Sequence, residues 1–314
     1  MLFLAALVVL LSLELGARYL VPLVNWNMRR FEKECADAIS MGQGHNAAKP
    51  GILMLGNSLT WNDIDMDVLR QHLGATNEVC RWAVDDTNYL DWYYGLRRAI
   101  RHGARPKYVV IGGRSDHFLA EYVRGCFFAH YILDWRDLRE LAARVGANPT
   151  ALSNMVLAQV SAFYGSREEI FKRCLTAVVP SFPQLGRRMT WKGRKAPTPV
   201  LHSSTLLVGR LEDLRARCSE CGAKLVLWIP PTPYEDKNAA WVAQAAAEEN
   251  IPLILPLAPS PGAAWTERDF SDGYHMTTDA AKRLTGLLSE RLELLLPEDS
   301  VASKSSLRHV TRAF

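Results

Sequence analysis

Apolar and polar positions divide the chain into unlike regions. From residue 2 to residue 13 every position except Ser12 is apolar, and the apolar character continues to Val24, interrupted by Glu14 and Arg18. The unbroken run is short for a spanning helix and suits the core of a signal peptide. The whole stretch is long enough to span if Glu14 and Arg18 sit near an interface. No small-residue cleavage pattern follows, so residues 1–24 are expected to form an uncleaved membrane anchor, with a signal segment or a buried amphipathic helix as the alternatives. Residues 25–49 are polar with a short helical pattern and read as a stem, ending in the loop Gly42-Gln43-Gly44-His45-Asn46.

From residue 50 the pattern changes to short apolar runs alternating with helical spacing. Residues 51–55, 79–84, 106–111, 224–229 and 251–257 read as strands. Residues 63–73, 90–100, 206–218, 238–249 and 277–296 read as helices. This alternation predicts an α/β fold over residues 50–297, with a parallel sheet covered on both faces. The stretch from about 117 to 203 breaks the rhythm with an aromatic and apolar segment, further helical patterns and a basic run at 187–195. It reads as a helical insertion near the active site, serving as a lid or a partner surface. The basic run is either a solvated loop or a contact for an acidic polymer or lipid headgroups. Residues 298–314 read as a disordered tail.

Composition narrows the function classes. The net charge of +4 is mild and forms no basic stripe, so no nucleic-acid partner is expected. Cys35, Cys80, Cys126, Cys174, Cys218 and Cys221 leave the redox compartment open. The close pair Cys218-Ser219-Glu220-Cys221 lacks a second pair and a neighbouring histidine. It reads as ordinary thiols or a local disulfide rather than a zinc site. His45, His72, His102, His130, His202 and His309 have no ligand spacing, so neither a metal nor a cofactor is expected. The aromatic group Trp82, Tyr89, Trp92, Tyr93 and Tyr94 reads as packing, with a sugar platform as the alternative.

Candidate chemistry lies where strands end. Ser58, within Gly56-Asn57-Ser58-Leu59-Thr60, follows the first strand. Asp85-Asp86-Thr87 follows the second, and Gly112-Gly113-Arg114-Ser115-Asp116 the third. Asp272-Gly273-Tyr274-His275 precedes the last helix. Open α/β sheets bind ligands at the carboxyl ends of their strands. A serine hydroxyl needs a base within hydrogen-bond reach, and a carboxylate fixes the imidazole tautomer. Asp272 and His275 are three apart, so one helical turn sets them side by side. Taken singly, Ser58 or Asp272 reads as a helix N-cap; taken in this order they form a nucleophilic triad. Asp86, Asp116 and His117 are candidate substrate contacts.

These four blocks resemble those of the SGNH, or GDSL-like, hydrolase superfamily, over roughly residues 50–117 and 204–296. The resemblance implies a three-layer α/β/α sandwich of the flavodoxin-like SGNH type. It makes Ser58 the nucleophile, His275 the base and Asp272 its orienter. The oxyanion would be held by the Ser58 and Asp85 backbone N–H groups with Ser115 or Arg114. Two positions depart from the pattern: Asp85 stands where the second block has glycine, and Ser115 where the third has asparagine. The anchor and the insertion are similar to the membrane-linked branch of the superfamily. That similarity implies a serine esterase or O-acyltransferase acting on acyl esters, acetyl foremost, of a cell-envelope or extracellular polysaccharide. It further implies an extracytoplasmic catalytic domain and an envelope-biosynthesis protein partner. The charge bias, with Arg18, Arg29 and Arg30 after the apolar run and no Lys or Arg before it, favours the opposite orientation. A catalytically degenerate domain that binds a polysaccharide or partner protein in the same cleft is the alternative.

Overall fold

Five short strands carry the sheet: β1 (Gly51–Gly56), β2 (Glu78–Ala83), β3 (Tyr108–Gly112), β4 (Lys224–Trp228) and β5 (Leu253–Ile254). All neighbours pair in parallel, in the order β2-β1-β3-β4-β5. The structure, a computed structural model, describes residues 1–43, 49–181, 204–233, 236–260 and 263–296. The basic run at 187–195, His45, His202 and the 298–314 tail lie outside the described residues.

Alternation along each strand sends side chains to opposite faces, and each face has its own apolar cluster. On one face Leu53, Leu55, Val109, Ile111, Leu225 and Leu227 pack against four helices. These are α2 (Trp26–Ser40), α5 (Tyr89–Arg101), α11 (Ser204–Ser219) and α12 (Ala239–Glu248). On the other face Ile52, Met54, Val110, Val226 and Trp228 pack against α4 (Met66–Leu73) and α13 (Thr278–Leu295). The chain is thus an α/β protein with a parallel sheet and helices on both faces. The helix expected at 63–73 is split. A short α3 (Ser58–Asn62) ends at Asp63, and Asp65 caps α4 by accepting from the Asp67 and Val68 N–H groups.

The segment expected as a stem is part of the domain. Met28, Phe31, Glu34 and Ala38 of α2 are buried, and Phe31 packs edge-on to Phe127 at 5.4 Å. Glu34 is 8% exposed; it accepts from Arg81 Nε at 3.1 Å and from the Ala83 N–H at 3.0 Å, so α2 is tied to β2. A polar helix with one apolar stripe and a buried ion pair looks like a stem in sequence because the pairing partner is 47 residues away.

The insertion follows α6 (Ser115–Leu119). It begins with α7 (Gly125–Phe127), which runs into a π turn (Phe128–Ile132). Then come α8 (Leu138–Arg144), α9 (Pro149–Val160) and α10 (Ala162–Val178). Phe127, Phe128 and Ile132 join the main core, and Arg101 of α5 pairs with buried Asp137 at 2.7 Å. Trp82, Tyr89, Trp92, Tyr93 and Tyr94 are all buried, so this aromatic group packs the interior and offers no sugar platform. The six cysteines are free thiols, and burial pushes the Cys218 and Cys221 thiols up, away from reactive thiolate.

The N-terminal apolar segment is one helix, α1 (Leu2–Val24), and its stretch Phe3–Leu23 is long and apolar enough to cross a membrane.

Candidate active site

Register aligns the candidate segments. Gly56 pairs with Ala83 on one side and with Gly112 on the other, so Ser58, Asp85 and Arg114 each sit two residues past the same rung. Gly56 permits this closeness. A Cβ there would lie 2.0 Å from Thr60 Oγ1 and 2.6 Å from Gly112 O. Thr60 Oγ1 donates to Gly112 O at 3.1 Å, locking the turn of β1 into α3 against β3. Asn57, buried, caps α3 by accepting from the Leu59 N–H at 3.0 Å, and its amide donates to Thr87 O at 3.3 Å. The N-cap is therefore Asn57, and Ser58 is the first helical residue. That position leaves its N–H without an intrahelical acceptor and its hydroxyl facing out of the strand ends.

Ser58 Oγ lies 2.9 Å from His275 Nε2, and His275 Nδ1 lies 2.8 Å from Asp272 Oδ2. Ser58 and His275 are 217 positions apart in sequence. The 272–275 segment is a loop, not the helical turn its spacing suggests. A bridge between Phe270 and Met276 closes it, the Ser271 N–H donates to His275 O at 2.8 Å, and Gly273 takes φ +74°. Asp272 Oδ1 accepts from the Tyr274 N–H at 3.0 Å and the His275 N–H at 2.8 Å, leaving Oδ2 for the ring. The cap of α13 is Thr277, so Asp272 is not a helix cap. Burial alone would raise the Asp272 carboxyl. The His275 ring, two backbone N–H groups and the facing charge outweigh it and hold the carboxyl well below the usual carboxylate range. An ionised Asp272 fixes the Nδ1–H tautomer, which leaves the Nε2 lone pair for the Ser58 proton.

A second carboxyl anchors this loop. Asp63 is fully buried at the end of α3, and its Oδ1 accepts from the Met276 N–H at 2.8 Å. Its Oδ2 has no hydrogen-bond partner among the described residues. Burial pushes the Asp63 carboxyl well above the usual range. The Met276 N–H opposes this shift and the nearby Asp272 charge adds to it. The sequence placed Asp63 in a helix, and no local pattern distinguishes a carboxyl whose partner is 213 residues away.

The candidate oxyanion donors fare differently. The β1–β2 ladder ends with the Val84 N–H donating to Gly56 O at 3.1 Å, which leaves the Asp85 N–H beyond the ladder. The Asp85 carboxylate faces Arg30 of α2 at 4.0 Å, and Asp86 turns the chain at φ +59°. Arg30 also stacks on Trp61 at 3.6 Å, while Arg81 stacks on the same ring at 3.8 Å, bracing α3 behind Ser58. In the third block the Ser115 N–H donates to Asp236 Oδ2 at 2.9 Å, and the Ser115 hydroxyl donates to Asp236 Oδ1. Arg114 donates to Thr232 Oγ1 at 3.3 Å and to Asp116 at 3.4 Å, and its N–H donates to His117 Nδ1 at 3.1 Å. Ser115 is thus engaged by a carboxylate 121 residues away, a pairing that no spacing in the sequence announces. Among the described residues no group of three or more His, Cys, Asp or Glu is placed to hold a metal ion. The sequence matches no family model and no curated protein.

Proposed function

We propose that this chain is a membrane-anchored serine esterase or O-acyltransferase with a flavodoxin-like, SGNH-type sandwich, working through an acyl-enzyme on Ser58. The observation that carries the proposal is the chain of contacts Ser58 Oγ to His275 Nε2 at 2.9 Å and His275 Nδ1 to Asp272 Oδ2 at 2.8 Å, at the carboxyl end of the sheet. The strand order β2-β1-β3-β4-β5 supports the fold assignment, since doubly wound sheets of this order bind ligands where the order reverses, beside β1 and β3.

In the proposed reaction Ser58 Oγ attacks the ester carbonyl carbon and its proton passes to His275 Nε2. The carbonyl electron pair moves onto oxygen, where the Ser58 and Asp85 backbone N–H groups receive it. Collapse expels the alcohol oxygen, which takes the proton from His275, and leaves the acyl group on Ser58. Water or an acceptor hydroxyl then gives its proton to His275 and attacks the acyl carbon; the bond to Ser58 Oγ breaks, Oγ takes the proton back from His275, and the acyl group leaves on the acceptor oxygen. Water as acceptor makes an esterase; a sugar hydroxyl makes a transferase. The proposed substrates are acyl esters, acetyl foremost, of a cell-envelope or extracellular polysaccharide. α1 supplies the proposed anchor, with the catalytic domain on the extracytoplasmic side and an envelope-biosynthesis protein as its partner.

A second reading, a cleft that binds without turnover, is favoured by one observation: both donors of Ser115 are occupied by Asp236. Loss of one oxyanion donor typically lowers kcat about 10²–10³-fold. Hydrolysis of p-nitrophenyl acetate by the full chain and by Ser58→Ala separates the two. Turnover that disappears in the variant supports the enzyme. No turnover by the folded wild-type chain, with this ester and with an acylated sugar plus acceptor, supports the binding cleft.

A further inference from the structure

The second half of α1 is not free. Glu14 accepts from Ser161 Oγ at 2.8 Å, from the Ala162 N–H at 2.8 Å and from the Phe163 N–H at 3.2 Å, at the start of α10. Ala17 is buried, and Val21 packs against the main core. Only the turns before Glu14 project away from the domain. Twelve helical residues extend about 18 Å, against about 30 Å of bilayer hydrocarbon. A crossing by Phe3–Leu23 therefore needs residues 14–23 at membrane depth, together with whatever is packed beside them.

What is packed there is α2 and the start of α10, and the chemistry of the α9–α10 junction suits lipid. Residues 145–166 contain no charged side chain and no histidine. Leu152, Val156 and Val160 recur every four residues along α9, with Leu157 beside them, and all are exposed, Val160 by 69%. Three polar side chains of this segment turn to protein partners. Ser153 Oγ donates to Pro149 O at 2.8 Å, Gln159 donates to Leu133 O at 3.1 Å, and Asn154 accepts from the Tyr164 hydroxyl. The helix start of α10, where N–H groups ordinarily need water, is also satisfied within the chain. Glu14 takes two of them, and Ser161 Oγ takes the Tyr164 N–H at 3.1 Å. Backbone at membrane depth requires this internal pairing.

We infer that α9 and the first turn of α10 lie in the bilayer beside α1, so that the domain is seated in the membrane by two elements rather than tethered above it. The occupant of the exposed α9 stripe is lipid acyl chain. The inference rests on the reading of α1 as a membrane span. It sets the insertion apart as a membrane element, in place of the active-site lid or partner surface that the sequence pattern suggested.

The test uses the full chain in phosphatidylcholine–phosphatidylglycerol vesicles, in a Cys174→Ser background that removes the exposed native thiol. An environment-sensitive fluorophore is attached at Val156→Cys, at Val160→Cys, at Val8→Cys in α1 and at Lys282→Cys on α13. The expected result is loss of fluorescence on adding doxyl-labelled lipid at 156, 160 and 8, with none at 282. Quenching at 8 without quenching at 156 and 160 overturns the inference and leaves the anchor standing. No quenching at any site refutes the anchor reading and the inference with it. A water-shielded probe at 156 that lipid does not quench, in a chain of dimer mass, overturns the inference in favour of a second copy on this face.

Discussion

Replacing Asp63 with asparagine is expected to keep the 272–275 loop in place while removing a pH-dependent weakness of the fold. Asp63 Oδ1 accepts from the Met276 N–H at 2.8 Å, a bond that an asparagine carbonyl reproduces. The carboxyl is fully buried and its pKa is raised, by burial first. A carboxyl whose folded pKa exceeds its unfolded value, about 3.9, supports the fold fully below that value. The support is lost as pH rises through the folded pKa. Within that window the wild-type chain should lose about 1.4 kcal/mol per pH unit relative to Asp63→Asn. Asp63→Ala is a different perturbation. It strands the Met276 N–H, at a cost of about 1–3 kcal/mol, and frees the residue next to His275. A displacement of about 1 Å there is enough to lower kcat about 10²-fold. Urea unfolding followed by circular dichroism at pH 4, 6 and 8, with esterase rates on the same samples, reads both effects. Parallel pH profiles for wild type and Asp63→Asn would refute a raised Asp63 pKa, and full activity in Asp63→Ala would refute its role in holding the loop.

Other substitutions probe other joints of the site. Asp272→Asn should leave the fold intact and reduce kcat about 10⁴-fold by releasing the imidazole tautomer, measured as ester turnover at saturating substrate. Gly56→Ala places a Cβ 2.0 Å from Thr60 Oγ1 and 2.6 Å from Gly112 O. It should destabilise by about 1–3 kcal/mol, and the second contact, being backbone, should keep Thr60→Ala from rescuing activity. Glu34→Ala removes the carboxylate partner of half-buried Arg81, which keeps the Trp61 and Ile64 carbonyls, and strands the Ala83 N–H, so it should cost about 1–3 kcal/mol in urea unfolding. A chain cut at residue 45, which lacks α2, should fail to fold for the same reason.

Legibility followed the range of the interactions. The strands were readable because a sheet covered on both faces needs unbroken apolar runs, and the run at 51–55 falls within β1 at Gly51–Gly56. Ser58 and the Asp272-x-x-His275 block were readable because each lies beside an element with a strong local pattern. The conformation of the 272–275 loop was not, since a three-residue spacing suits a helical turn and an Asx-type loop alike. α2 was misjudged because Glu34 and Arg30 look solvated until Arg81, Asp85 and Trp61 are brought to them. The partners of Ser115 and Asp63 lie 121 and 213 residues away, beyond any spacing argument. The apolar stripe of α9 leads into Ser161, whose contact with Glu14 spans 147 residues and came only from the fold.

The proposed function stands on Ser58 being a nucleophile activated by His275. Treating the full chain with a fluorophosphonate and measuring intact and peptide masses tests it most directly. One adduct per chain is expected, on Ser58, absent in Ser58→Ala and formed far more slowly in His275→Ala. A folded wild-type chain that takes no adduct, or an adduct that persists in Ser58→Ala, would contradict it.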